Sequence, residues 1–314
     1  MTLQHLRWQI GVCVLVGITA VSSYGQIPGA SNLLPNPVSG LPGADRVVGQ
    51  VQKKVEAKLL AETVDQVGIL IFRIELKMAS ISQNLDDTQL VQRVSNRIVE
   101  AAKRSKYGDV AKALQWETKL IESDDVNAFA VPGGKIGVDT ALLRFIRDRD
   151  YFDKELAAKE EDLLAAALAH EVVHALARHA AEAIQREAPK VLELAARGKQ
   201  LSEQGLDPKT TAALMGAVGI VHGVAVTIPF VRTQESEADQ VGLQLMAQAG
   251  YDPQVAISFW QKHQGLAKGK KALQFLSLHP SDEARIAQMK SWLPEALKQY
   301  KHAREDRPST RARG

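Results

Sequence analysis

His170-Glu171-Val172-Val173-His174 stands inside a run, Leu163 to Ala180, that holds no glycine or proline and is rich in alanine and leucine. That composition predicts a helix, over 160–183. Residues i and i+4 of a helix share a face, so both imidazoles can reach one divalent ion at about 2.0 to 2.1 Å. Glu171 is one residue round from His170, within hydrogen-bonding reach of a metal-held water without being a ligand itself. Zinc lowers the pKa of such a water to about 7, and a neighbouring carboxylate takes the proton as the water attacks a carbonyl. The spacing is that of a zinc peptidase with Glu171 as general base; the plain alternative is an amphipathic helix with two surface histidines.

Catalytic zinc usually takes three protein ligands and keeps a fourth position open. A later helical stretch, Arg232-Thr233-Gln234-Glu235-Ser236-Glu237-Ala238-Asp239-Gln240-Val241-Gly242, puts Glu235 and Asp239 at i and i+4. Glu235 can then bind the metal while Asp239 accepts the other ring N–H of a ligating histidine. The alternative is an acidic, solvent-facing helix start favoured by the helix dipole, a reading that suits Glu237.

Outward from these segments the pattern is mainly helical, over 189–203, 210–224, 233–249, 253–266, 281–293 and a last short helix to 301. Upstream, 47–60 and 88–106 carry apolar residues at helical spacing, the second with Leu90, Val91, Val94, Ile98 and Val99 behind Asp87 as capping residue. Residues 113–121 alternate at period two, and 126–138 reads as two short strands joined by Pro132-Gly133-Gly134, which together predict a small antiparallel sheet. No repeat of 20 to 50 residues is present, which argues against a helical array.

The chain has 314 residues, 45% hydrophobic and 24% charged, enough for a sizeable core and unlike a disordered or fibrous protein. Its net charge of +3 comes from 39 basic and 36 acidic residues with no basic stripe, so no nucleic-acid partner is expected. Cys13 is the only cysteine, so no intramolecular disulfide staples the fold. It lies in an apolar run, Trp8 to Val21, behind His5 and Arg7 and ahead of Ser22, Ser23 and Gly25, the layout of a signal peptide over 1–25. The run is shorter than the roughly 20 residues of a spanning helix. Cleavage near Gly25 would leave no cysteine, which suits an oxidising compartment. Residues 26–45, with four prolines and three glycines, read as a linker, and 303–314 as a disordered basic tail.

Four ordered motifs carry a resemblance: Asn127-Ala128-Phe129-Ala130-Val131-Pro132-Gly133-Gly134, the His170 to His174 segment, Arg232 with Glu235, Ala238 and Asp239, and His279-Pro280 with Arg285. Over about 89–292 the sequence resembles the gluzincin peptidases that include the HtpX heat-shock protease, the CAAX prenyl protease and the BepA-like periplasmic proteases. The resemblance implies an α+β, mostly helical zincin-type domain over 46–302. It implies one Zn2+ on His170, His174 and Glu235, Glu171 as general base and Asp239 in a supporting catalytic role. The paired spanning helices of HtpX and the prenyl protease are missing, which places the sequence with the soluble periplasmic branch. The helical repeat domain that follows the protease in BepA is missing too. Polypeptide substrates, unfolded or outer-membrane proteins among them, are the implied partners.

Asn127, Ala128, Phe129 and Ala130 are the candidates for an edge strand that pairs backbone to backbone with an extended substrate; an internal strand is the alternative. His279 precedes Pro280 and therefore sits on a loop. Three roles stay open for it: a fourth zinc ligand that holds the enzyme latent, a transition-state contact, or a plain loop histidine. Arg285 is expected to stabilise an oxyanion or to play a structural part by pairing with an acid such as Glu283. His179, on a continuous helix, would lie about 13 Å from His170 on the opposite face, too far to share the ion. His222 and His263 are assigned to packing. Residues 211–230 carry no charge, with Gly216, Gly219 and Gly223 at small-residue spacing, so this stretch is read as buried core, a peripheral membrane contact or a span. The reading as a whole is a zinc endopeptidase exported to the periplasm. Its rivals are a latent, chaperone-like binding protein on the same fold and a small-molecule metallohydrolase.

Overall fold

A computed structural model describes residues 79–183, 231–267, 279 and 283–305, with scattered positions between 62 and 77. The readings of 1–25, 26–45, 47–60, 189–203 and 210–224, of the 211–230 segment and of His222 fall outside the described residues, as do 306–314 and the His263 side chain. The chain divides into two compact units, Met1–Val67 with Ala180–Ile228 and Gly68–His179 with Pro229–Gly314. The elements that follow all belong to the second.

Helix α1, Leu85–Ala102, is followed by a single turn-and-a-half, α2, Gly108–Ala113, and then by strands β1, Glu117–Ile121, β2, Ala128–Val131, and β3, Lys135–Asp139. Helices α3, Thr140–Arg147, α4, Lys154–Ala157, and α5, Glu160–Leu176, come next. Then come α6, Arg232–Gln248, α7, Gln254–Ala267, and α8, Glu283–Glu305. The architecture is α+β and mostly helical, as expected.

Why α5 is central follows from its residues. Beyond the acidic first turn of Glu160, Glu161 and Asp162, every position from Leu163 to Leu176 is buried. A helix that is apolar all round must be covered all round, and α1, α6, α7 and β2 do so. Gly242 on α6 sets the closest approach: a Cβ placed there would stand 3.4 Å from the His170 backbone nitrogen, so a longer side chain would push the two helices apart. That crossing holds Glu235 and Asp239 over the α5 histidines.

Helix α1 starts earlier than the pattern suggests. Asn84 is its cap, and the Asp87 N–H donates to Asn84 Oδ1 at 3.1 Å. Asp87 itself thus lies inside the first turn and pairs with Arg147. At the other end of the chain, α8 runs through Pro294 without a break and on to Glu305, where two helices and then a tail from 303 are expected from sequence.

The sheet order is β1-β3-β2. Its β2–β3 hairpin is antiparallel and turns at Gly133 and Gly134, whose φ of 86° and 78° only glycine adopts readily. β1 pairs with β3 in parallel, so the sheet is mixed, which corrects the antiparallel expectation. Alternation at period two reveals a strand but not its direction, and of the stretch 113–121 read as strand only 117–121 is β1, with Ala113 closing α2. β2 forms one edge. On the other edge, β1 is flanked by Ile81 and Ser82, with the Ser82 N–H donating to the Leu120 carbonyl at 3.0 Å.

Asp139, at the end of β3, is buried, and burial pushes its carboxyl up to about 7; Ser123 opposes the shift while Asp125 and Glu75 add to it. An acid with a raised folded-state pKa binds protons more tightly folded than unfolded, so stability falls as pH climbs from the unfolded value to the folded one. Asp139→Asn removes this loss. The gain over wild type is expected to be smaller at pH 5 than at pH 8, where it should raise the melting temperature by about 4 °C or more. Thermal melts at the two pH values check it.

Candidate active site

Four buried side chains converge beneath β2: His170 and His174 from α5, Glu235 from the first turn of α6, and His279 from the segment ahead of α8. His170 Nε2 is 3.0 Å from His174 Nε2 and 3.1 Å from His279 Nδ1. Glu235 Oε1 is 3.0 Å from His279 Nδ1 and 3.4 Å from His174 Nε2, and Glu235 Oε2 is 3.4 Å from His170 Nε2. Four atoms placed tetrahedrally around an ion at 2.0 to 2.1 Å stand about 3.3 Å apart. The donors therefore have the identity and the spacing of one zinc site. Two imidazoles, a carboxylate and a third imidazole are a set that zinc accepts.

Around the donors the residues are paired in a consistent way. His170 Nδ1 lies 3.0 Å from Asp239 Oδ1, the hydrogen bond that directs the opposite nitrogen, Nε2, inward. Arg285 Nε donates to Asp239 Oδ2 at 2.5 Å and Nη2 to Oδ1 at 2.8 Å, while Nη1 is 2.7 Å from Glu235 Oε2. The guanidinium also stacks on Trp260 at 4.3 Å, and Trp260 in turn packs edge-on against His170.

The electrostatics sort these groups. Burial pushes the Asp239 carboxyl up, but Arg285 and His170 more than offset it and hold it below the ordinary value. Burial likewise opposes ionisation of Glu235, and His279 and His170 overcome it, leaving that carboxyl well below its usual range. For His174, burial dominates and keeps the imidazole neutral, the form a metal needs. Burial also dominates at Glu171 and raises its carboxyl to about 7, with His279 opposing.

Glu171 stands between the donor cluster and the sheet. Its Oε2 accepts the Ala130 N–H at 3.0 Å, and its Oε1 makes no hydrogen bond, with His279 Nε2 3.2 Å away. Ala130 presents that N–H on the outer edge of β2, the edge away from β3. Of the other candidate strand residues, Asn127 and Ala128 are buried, the Asn127 carbonyl accepts from Asp139 N–H, and the Phe129 ring lies over Gly137 of β3.

Arg285 turns inward and pairs with two acids, Asp239 and Glu235, while Glu283, the example taken from sequence, is exposed. One expectation is corrected here. His179 is not remote: α5 ends at Leu176, Arg178 takes a left-handed φ of 58°, and the chain folds back so that His179 Nδ1 is 2.9 Å from His174 Nδ1. No glycine or proline marks that turn, so periodicity alone carries the helix past it. Trp260 and Tyr107, which sequence reasoning passed over, gave no pattern of their own.

A buried HExxH helix, a buried carboxylate brought beside its histidines by a second helix, and Glu171 set against the edge strand β2 are the arrangement of a gluzincin type of metallopeptidase site. The model of peptidase family M48 matches residues 86–293, and the chain belongs to that family, whose metallopeptidases use zinc. It is 37% identical over 213 residues to the mitochondrial metalloendopeptidase OMA1 of Schizosaccharomyces pombe, covering 67% of this chain and 54% of the relative. The Saccharomyces cerevisiae OMA1 is 29% identical, with 68% and 58% covered. The beta-barrel assembly-enhancing protease of Escherichia coli is 31% identical, over 64% of this chain and 37% of that protein. The chain thus spans just over half the length of the fungal relatives.

Proposed function

We propose that this protein is a zinc-dependent endopeptidase of the cell envelope, exported by residues 1–25 and cleaving misfolded or membrane-associated polypeptides. The observation that carries this reading is the placement of Glu171 between the donor cluster and the outer edge of β2. His170, His174 and Glu235 would hold one Zn2+, which when bound supplies a Lewis acid for a carbonyl oxygen. An extended peptide adding to β2 at Asn127–Ala130 would be held through its backbone, with little demand on its side chains. That suits unfolded substrates. Glu171, beside such a peptide, would take a proton from the attacking water and return it to the leaving amine. Asp239 orients His170, and Arg285 holds Asp239 and Glu235 in place.

The name of the Escherichia coli relative, a beta-barrel assembly-enhancing protease, supports beta-barrel proteins in assembly as one substrate class. No helix among the described residues is long and apolar enough to cross a membrane. Residues 211–230 are read as buried core or a peripheral membrane contact, 26–45 as a linker, 46–302 as the catalytic domain and 303–314 as a tail.

His279 supports a latent state, because its Nδ1 occupies the corner of the donor set that substrate and water need. A second reading follows from the same observation: a binding protein that holds zinc and polypeptide without turnover. Casein digestion by the mature protein and by His279→Ala, with zinc quantified, separates the two. Cleavage should be abolished by a chelator, restored by zinc, and raised about tenfold in His279→Ala, as for a latch worth about 1.4 kcal/mol. If both proteins hold zinc, bind casein and cut nothing, the peptidase reading fails and the binding protein stands.

A further inference from the structure

His170 and His174 are held from behind in different ways. The rear nitrogen of His170 meets a carboxylate, Asp239, as ligating histidines usually do. The rear nitrogen of His174 meets a second imidazole, His179, at 2.9 Å, and both rings are buried. Behind His179 stands Glu237: His179 Nε2 is 3.5 Å from Glu237 Oε2. Tyr107 OH donates to Glu237 Oε1, and Lys106 Nζ is 3.7 Å from the same oxygen.

The proton positions along this row follow from the front end. A neutral imidazole carries one N–H. His174 faces the donor cluster with Nε2, so that nitrogen must be bare and Nδ1 carries the hydrogen. The contact at 2.9 Å then requires His179 Nδ1 to accept, which puts the His179 hydrogen on Nε2, directed at the Glu237 carboxylate. This arrangement of hydrogens satisfies the contacts along the row. We propose that His179 and Glu237 are positioning residues for the metal site, a relay from the surface through Tyr107–Glu237–His179 that fixes the tautomer and ring plane of His174.

Two further features support a built arrangement. Arg178 adopts a left-handed φ of 58°, a conformation costly to a non-glycine residue, and it is what returns His179 to His174. Gln234 Nε2 donates to the His179 carbonyl at 3.3 Å, tying the returned turn to α6, the helix that also carries Glu235 and Glu237.

The inference rests on the zinc site proposed above, and its test reads zinc affinity by competition with a chelator, together with the His174 tautomer from ¹H–¹⁵N spectra of the zinc-loaded protein. His179→Phe fills the space without an acceptor and is expected to weaken zinc by about 10- to 100-fold. His179→Asn places an amide oxygen where Nδ1 stood and should stay within about threefold of wild type, as one neutral hydrogen bond exchanged for another. Glu237→Ala, half-exposed and safe for folding, should weaken zinc about threefold and broaden the His174 Nδ1–H signal. Unchanged affinity in both His179→Phe and Glu237→Ala would overturn the relay, and so would equal losses in His179→Phe and His179→Asn. A wild type with no zinc affinity would instead remove the site on which the relay is built.

Discussion

Glu171→Gln is expected to lower casein cleavage by about 10³-fold or more while leaving the zinc content equal to that of the wild type. A positioned general base contributes about 10² to 10⁴ in rate, and glutamine has no basicity to contribute. The substitution is close to isosteric. A glutamine oxygen can still accept the Ala130 N–H that Glu171 Oε2 accepts at 3.0 Å, so the contact between α5 and β2 survives. What is lost is the second oxygen, Oε1, which makes no hydrogen bond and is the atom left for a substrate water. Burial brings the carboxyl to about 7, a range in which one group can both take a proton and return it near neutral pH. Zinc is retained because Glu171 is outside the donor set. Cleavage by the variant above a tenth of the wild-type rate, at equal zinc, would remove Glu171 from the role of base.

How far the sequence leads differs from feature to feature. The i, i+4 histidines, and Glu235 with Asp239, are visible because helical geometry converts spacing into a shared face, and the structure brings these four side chains together. The apolar run around His170 also announces a helix covered on every side. Sheet direction is invisible, since alternation along β1 is the same whether its neighbour runs with it or against it. The partners of Arg285 and the position of His179 belong to a third kind. Each depends on chain segments distant in sequence or on one residue, Arg178, in an uncommon backbone conformation. Glu237 has two faces: read from sequence it suits a helix start in solvent, yet its half-exposed carboxylate is also the outer end of the row behind His174. Gly242 carries no signal of its own, yet a Cβ there would already touch the α5 backbone at His170, so the α5–α6 approach leaves no room for a longer side chain.

Arg285→Met is expected to cost the zinc-free protein about 3 to 5 kcal/mol, the usual penalty for leaving a buried ion pair with one partner. Arg285 is 6% exposed and is the cation set between two buried carboxylates, at 2.7 Å from Glu235 Oε2 and 2.5 Å from Asp239 Oδ2. Methionine keeps most of the packing on Trp260, where the guanidinium now stacks, so the loss reports charge and hydrogen bonds more than a cavity. The denaturation midpoint in urea should fall by about 1 M or more. Zinc changes the balance, because a divalent ion on Glu235 neutralises one of the two stranded carboxylates. The same substitution in the zinc-loaded protein should therefore cost roughly half as much, beyond the stabilisation that binding gives to both proteins by mass action. Urea melts of the two proteins with and without zinc measure the difference. Equal losses in both states would mean that Arg285 serves Asp239 alone and that its contact with Glu235 carries no energy. A loss confined to the zinc-free state would mean that the arginine holds the ligand carboxylate in readiness for the metal, keeping the site organised through cycles of loss and reloading.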